Sequence, residues 1–153
     1  MAGVGEPTNR VRVGARENDD VLAAINDSFM SLPDGRPVYL AGRLKGIRPL
    51  EPVPGPDFMN AVLGLRVEPP LRHYFLGGRQ EVLDRLVEVI AERFPGTLVA
   101  GTYSPPFRPM SAAEWGEVIA NVRATRPDLI WVGLGAPKQE LFAALHKERI
   151  RAV

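Results

Sequence analysis

Cysteine is absent from the chain. That excludes disulfides and thiolate metal sites, and it leaves the redox compartment unread. Histidine is scarce: His73 and His146 are the two imidazoles, each isolated in the sequence, so no zinc site is expected. No apolar run approaches the roughly 20 residues that a membrane-spanning helix needs. The N-terminus lacks the apolar core of a signal peptide. Charge of one sign is missing too, since 19 Lys and Arg stand against 18 Asp and Glu for a net +1. A field that small gives no reason to expect nucleic acid as a partner. The expectation is a cytoplasmic chain, with peripheral contact at the inner face of the membrane left open. There is no internal repeat and no low-complexity tract.

What is present suits one globular domain. The 153 residues are 45% hydrophobic and 24% charged, enough for one core. Residues 1–17 read as a poorly structured N-terminal segment and residues 18–153 as the domain. The organising stretch is Val132-Gly133-Leu134-Gly135-Ala136-Pro137-Lys138-Gln139-Glu140. An apolar run, Leu129–Val132, precedes it and an amphipathic segment, Glu140–Lys147, follows. That order reads as strand, glycine turn, helix start. Gly133 and Gly135 let the backbone turn sharply or approach a ligand closely. Pro137 suits the first helical position. The N–H groups that follow could bind an anion such as phosphate, with Lys138 adding charge and Gln139 an amide. A plain strand-to-helix turn remains the equal alternative, because neither the Walker nor the dinucleotide glycine spacing is present.

In chain order, Arg10–Val13 could form a short strand. Asp19–Asp27 carries Val21, Leu22 and Ile25 at helical spacing, capped by Asn18 or Asp19. Phe29–Leu32 reads as a short buried strand ended by the turn Pro33-Asp34-Gly35. Pro37–Lys45 reads as a helix with Val38, Leu40, Ala41 and Leu44 apolar and Gly46 as its stop. After a proline-rich loop, a helix follows with Phe58, Val62 and Leu65 as its apolar face, broken at Glu68-Pro69-Pro70. The second half is regular. Strands are expected at His73–Leu76, Thr97–Gly101 and Leu129–Val132. Helices are expected over Gln80–Phe94, with Val82, Leu83, Leu86, Val87 and Ile90 inward, and from Ser111 to Arg126. Ser111 and Glu114 have the spacing of a capping box. Alternating strands and helices predict an α/β fold, a Rossmann-like parallel sheet with helices on both faces. Ligands of such sheets bind beyond the carboxyl ends of the strands. Gly77-Gly78, Thr102–Phe107 and Gly133–Gln139 all fall there, which makes a nucleotide-sized site plausible.

Taken together the motifs resemble the WecG/TagA/CpsF family of glycosyltransferases. They are Leu32-Pro33-Asp34-Gly35-Arg36-Pro37, Gly55-Pro56-Asp57-Phe58, Tyr74-Phe75-Leu76-Gly77-Gly78, Gly101-Thr102-Tyr103-Ser104-Pro105-Pro106-Phe107 and the Val132–Glu140 stretch. The resemblance runs from about Glu17 onward, and the Tyr-Ser-Pro-Pro-Phe version looks like the exopolysaccharide-synthesis branch. It implies transfer of an N-acetylmannosamine-type sugar or related hexose from a UDP-sugar donor to a lipid-linked acceptor, a sugar on a polyprenyl diphosphate. It further implies inversion at the anomeric carbon, no cofactor and no metal. Asp34 takes the place of the family's proposed general base; otherwise a turn aspartate would be read as bonding its own backbone. Without a metal, charge developing on the leaving UDP falls to N–H groups, helix dipoles and cations. The turn carrying Gly133, Gly135, Pro137, Lys138 and Gln139 is the place for it. Tyr103 and Phe107 could pack against the uracil or a sugar face; for Phe107, ordinary loop packing is the stronger reading.

Three departures from the family stand out. Thr8 lies where an N-terminal asparagine usually helps bind substrate, with Asn9 one residue away. Pro52 replaces the arginine of a usual Glu-Arg-Val, at a cost of about 1.5–3 kcal/mol if a charge-assisted contact to the diphosphate is lost. The family also continues past the position of Val153 with another strand, an aspartate-bearing turn and a basic appendage that covers the site and contacts the membrane. On the resemblance, the chain is therefore expected to be C-terminally incomplete, with a strand edge exposed near Val132 that could favour a homo-oligomer. The alternative function is a non-catalytic nucleotide-sugar-binding remnant.

Overall fold

The computed structural model describes residues 4–5, 18–28, 30–32, 36–47, 51–150 and 152. Its centre is a parallel sheet of three strands, β3 (Arg72–Gly77), β4 (Leu98–Tyr103) and β5 (Leu129–Gly133), in the order β4-β3-β5. A separate parallel pair joins β1 (Val4–Gly5) to β2 (Met30–Ser31). The strand read at Arg10–Val13 lies outside the described residues.

β3 is the middle strand, and its residues from His73 to Gly77 are all buried. Side chains alternate across it, as a strand demands. Tyr74 and Leu76 face one layer, formed by α5 (Ala112–Ala124) and α6 (Lys138–Ile150) through Val118, Ile119, Val122, Phe142 and Ile150. Phe75 faces the other, formed by α3 (Gly55–Leu63) and α4 (Gln80–Arg93) through Leu63, Leu83 and Ile90. The expected α/β sheet with helices on both faces is thus present.

The first half adds α1 (Asp19–Asn26) and α2 (Arg36–Leu44). Asn18 caps α1, its Oδ1 accepting from the Asp20 and Val21 amides. Val21 is fully buried and packs with Ile25 and Leu141, which seats α1 on α6. Lys147 of α6 pairs with Asp27 just beyond α1.

Several apolar faces differ from the expected ones. α3 stops at Gly64, before Glu68-Pro69-Pro70, so Leu65 falls outside it and is exposed; Met59 and Leu63 face the core instead. Val82 is exposed in the first turn of α4, while Leu83, one residue on, is buried. Leu40, Ala41 and Leu44 of α2 are all exposed, while Gly42 is buried. Periodicity identified each helix, but the neighbouring layer decides which side is covered.

Between β3 and β4 the register shifts, with His73 opposite Val99 but Tyr74 opposite Gly101, so Ala100 is an extra residue. A Cβ on Gly101 would sit 2.7 Å from the Tyr74 ring. The missing side chain therefore lets Tyr74 lie across β4, where its hydroxyl donates to the Thr102 carbonyl at 3.3 Å. At the other end of β3, the Arg72 and Asp128 backbones are bonded at 2.8 Å, and the Arg72 guanidinium donates to the Thr125 and Arg126 carbonyls at the end of α5.

Candidate active site

The carboxyl edge of the sheet is built from three loops. β3 ends in Gly77 and Gly78, both at positive φ of 120° and 77°. β5 ends in Gly133, paired in register with Gly77, and turns through Gly135 at φ 79°. β4 ends in Tyr103, and the Ser104 hydroxyl donates to the Gly78 carbonyl at 2.8 Å, tying the second loop to the first.

Chain direction makes one part of this edge special. From β3 the chain enters α4, on the Phe75 layer. From β5 it enters α6, on the Tyr74 and Leu76 layer. Neighbouring strands whose connections leave to opposite faces form a topological switch point, where α/β sheets bind their ligands. Here that point lies between Gly77 and Gly133.

The turn into α6 contains the charged and polar groups. The Ala136–Pro137 peptide is cis. Pro137 stands one residue earlier than the first helical position expected for it, and its carbonyl accepts from the Leu141 amide at 3.2 Å. The Gln139 amide donates to the Gly135 carbonyl at 3.2 Å. Among the described residues, the Lys138 and Glu140 amides are left for a ligand, at the positive end of the helix. Gly133, Gly135, Pro137 and Lys138 are exposed and Gln139 is half-buried.

Glu140 is the residue that sequence reasoning missed. Its Oε1 accepts from Gln139 Nε2 at 3.1 Å. Its Oε2 is buried and has no hydrogen-bond partner among the described residues. A buried acceptor left unsatisfied is costly and asks for a donor. Glu140 ends the glycine-lysine motif, but its burial depends on packing that spacing does not reveal.

The aromatic candidates separate. Tyr103 is half-buried and packs against the α5–α6 core layer. Phe107 is 99% exposed, so loop packing does not hold for it among the described residues. Beyond it, Arg108 forms two bonds with Glu114, whose carboxylate also accepts from the Ser111 amide, so the expected capping box anchors this loop to α5. The Arg108 guanidinium, followed by the Ser111 bonds, holds the Glu114 carboxyl down at about 2.

The family model for glycosyl transferases of the WecG/TagA/CpsF family matches residues 8–153. The chain belongs to the WecG/TagA/CpsF family. Within the family, the chain is similar to proteins named N-acetylglucosaminyldiphosphoundecaprenol N-acetyl-beta-D-mannosaminyltransferase. That of Bacillus spizizenii is 31% identical over 136 residues, which is 88% of this chain and 50% of the relative. That of Bacillus subtilis is 26% identical over 132 residues, 86% of this chain and 50% of the relative. That of Staphylococcus aureus is 27% identical over 133 residues, with 86% and 50% covered. The chain spans about half the length of the curated relatives it matches.

Asp34, expected as the general base, and Thr8, expected to bind substrate, lie outside the described residues. The structure does place Gly133, Gly135, Pro137, Lys138 and Gln139 together at the switch point, with Tyr103 on the neighbouring β4. Among the described residues no group of three or more His, Asp or Glu could hold a metal ion, and no helix is long and apolar enough to cross a membrane.

Proposed function

We propose that this chain is a glycosyltransferase that moves an N-acetylmannosamine-type sugar from a UDP-sugar to a sugar on a polyprenyl diphosphate. The reading is supported by family membership together with one observation: the Val132–Glu140 motif that carries the resemblance lies at the switch point of the sheet. The relatives' name specifies a mannosaminyl group and a diphosphoundecaprenol acceptor, which is the source of both assignments. UDP sits with its diphosphate at the start of α6, near the Lys138 and Glu140 amides and the Lys138 ammonium. Gly133 and Gly135 leave room for close approach. Tyr103 flanks the donor, and Thr8 is a further substrate-binding residue. Gln139, held by Glu140, meets a polar group of the nucleotide or sugar.

The reaction inverts the anomeric carbon without a metal. Asp34 takes the proton of the acceptor hydroxyl as its oxygen attacks that carbon. The bond to UDP breaks on the opposite side, and the leaving diphosphate's charge is met at the helix start. A second reading, a nucleotide-sugar-binding chain without transfer, is favoured by Pro52, which is exposed and offers neither charge nor an N–H donor.

Calorimetry with UDP and UDP-N-acetylmannosamine, on the unmutated chain and Asp34→Asn, tests both readings. The expected result is nucleotide binding by each, with transfer to a lipid-linked acceptor by the unmutated chain alone. Binding without transfer by either favours the second reading. An absence of binding to any uridine nucleotide would overturn both.

A further inference from the structure

Glu140 is the third residue of α6, and Pro137 stands immediately before that helix. Glu114 holds the same place in α5, with Ser111 before it. A glutamate at this position folds back to the amide of the residue that precedes the helix. Glu114 does so, its Oε2 accepting from the Ser111 amide at 2.7 Å. Glu140 cannot, because proline has no N–H. The sequence thus removes the donor that this position ordinarily finds.

The bonds that Glu140 does make are incomplete. Its Oε1 accepts from Gln139 Nε2 at 3.1 Å, and its Oε2 is buried with no hydrogen-bond partner among the described residues. An ionised carboxylate only accepts, so the missing group carries an N–H or an O–H. Leaving a buried acceptor unpaired is costly, and a ligand that brings such a group is favoured over one that lacks it. The residue as a whole is half-buried, and its carboxylate turns easily about its last torsion. Either oxygen can therefore meet a ligand while the other keeps Gln139.

The role of Glu140 rests on the transferase reading, which puts the diphosphate at the start of α6. The diphosphate has no hydrogen to donate, and its charge repels a carboxylate. The hydrogen-bond donors of a UDP-sugar lie to either side of it, on the nucleoside and on the hexose. Strand order separates those two ends. Tyr103 ends β4 and Gly133 ends β5, with β3 between them. Two strand spacings, about 10 Å, separate their backbones. A nucleoside beside Tyr103 covers that span and leaves the hexose on the α6 side. We propose that Glu140 reads the hexosyl group, accepting from one of its hydroxyls or from its acetamide N–H. It thereby makes the chain select a UDP-sugar over UDP.

The test is calorimetry of UDP and of UDP-N-acetylmannosamine with the full chain, Glu140→Gln and Glu140→Asp. The unmutated chain should bind the UDP-sugar more tightly than UDP. Glu140→Gln should weaken the UDP-sugar by roughly ten- to hundredfold while UDP changes by less than about twofold. Glu140→Asp draws the carboxylate back by one methylene and should lose the same preference. Unchanged circular dichroism and retained UDP binding show that a variant is folded, and Glu140→Asp decides if Glu140→Gln is not. Equal losses for the two ligands in a folded variant, as a merely structural role or a contact to the nucleoside would give, would overturn the proposal. So would unchanged or tighter binding of the UDP-sugar. In either case the transferase reading stands. An unmutated chain that binds neither ligand overturns that reading, and the role of Glu140 with it.

Discussion

Gly77 and Gly133 meet backbone to backbone at the carboxyl edge of the sheet. They are register partners at the ends of β3 and β5, and a Cβ on Gly77 would come within 2.5 Å of the Gly133 carbonyl carbon. Gly77 also sits at φ 120°, a region that L side chains rarely adopt. Two independent reasons therefore exclude a side chain there.

Gly77→Ala should be the more damaging of two neighbouring substitutions. It adds a clash to backbone strain and should cost about 2–3 kcal/mol or more. Gly78→Ala, also at positive φ but with nothing within 4 Å of its added Cβ, should cost about 1–2 kcal/mol. Urea unfolding of the two variants checks the order, and equal losses would contradict the close approach.

Glu140→Gln tests whether the buried Oε2, without a partner among the described residues, awaits a ligand. A carboxylate oxygen accepting from a ligand hydroxyl or imide N–H is a charge-assisted bond worth about 1.5–3 kcal/mol. The variant should weaken UDP-sugar binding by roughly ten- to hundredfold. Calorimetry reads this directly, and tighter binding would instead place Glu140 as a charge that repels the diphosphate.

His73 should make stability fall in mild acid. Its Nδ1 accepts from the Trp131 Nε1–H at 3.1 Å, which requires a neutral ring, and burial lowers its pKa from 6.5. Above pH 6.5 both folded and unfolded chains carry it neutral. As pH falls below that value the unfolded chain takes up the proton first, so stability declines until the lowered folded value is passed, then levels. His146, also lowered by burial and then by Arg149, acts in the same direction. Thermal midpoints should therefore drop between about pH 7 and pH 5, with Trp131 fluorescence as the local probe. His73 titrating at or above 6.5 by NMR would contradict this.

Ser111→Ala should remove the cap of α5. Loss of its bond to the Glu114 amide should cost about 1 kcal/mol. The loop from Tyr103 to Met110 should also loosen, since Glu114 holds Arg108 as well as the Ser111 backbone. Hydrogen exchange along this loop reads the second effect.

The sequence by itself determined the local chemistry of this protein. Apolar spacing located α4, α5 and the three core strands to within a few residues. Ser-x-x-Glu marked a capping box, and paired glycines marked the turns at the sheet edge. Such features are readable because each depends on a few consecutive residues and their backbone preferences. Tertiary structure alone decided the rest. It put β3 between β4 and β5, and so made the Gly77–Gly133 contact and the switch point. Among the described residues it left Leu40, Leu44 and Phe107 exposed and buried one Glu140 oxygen without a partner. These outcomes depend on which layer lies against a helix or strand. That is set by contacts between residues far apart in sequence, where spacing along the chain carries no information.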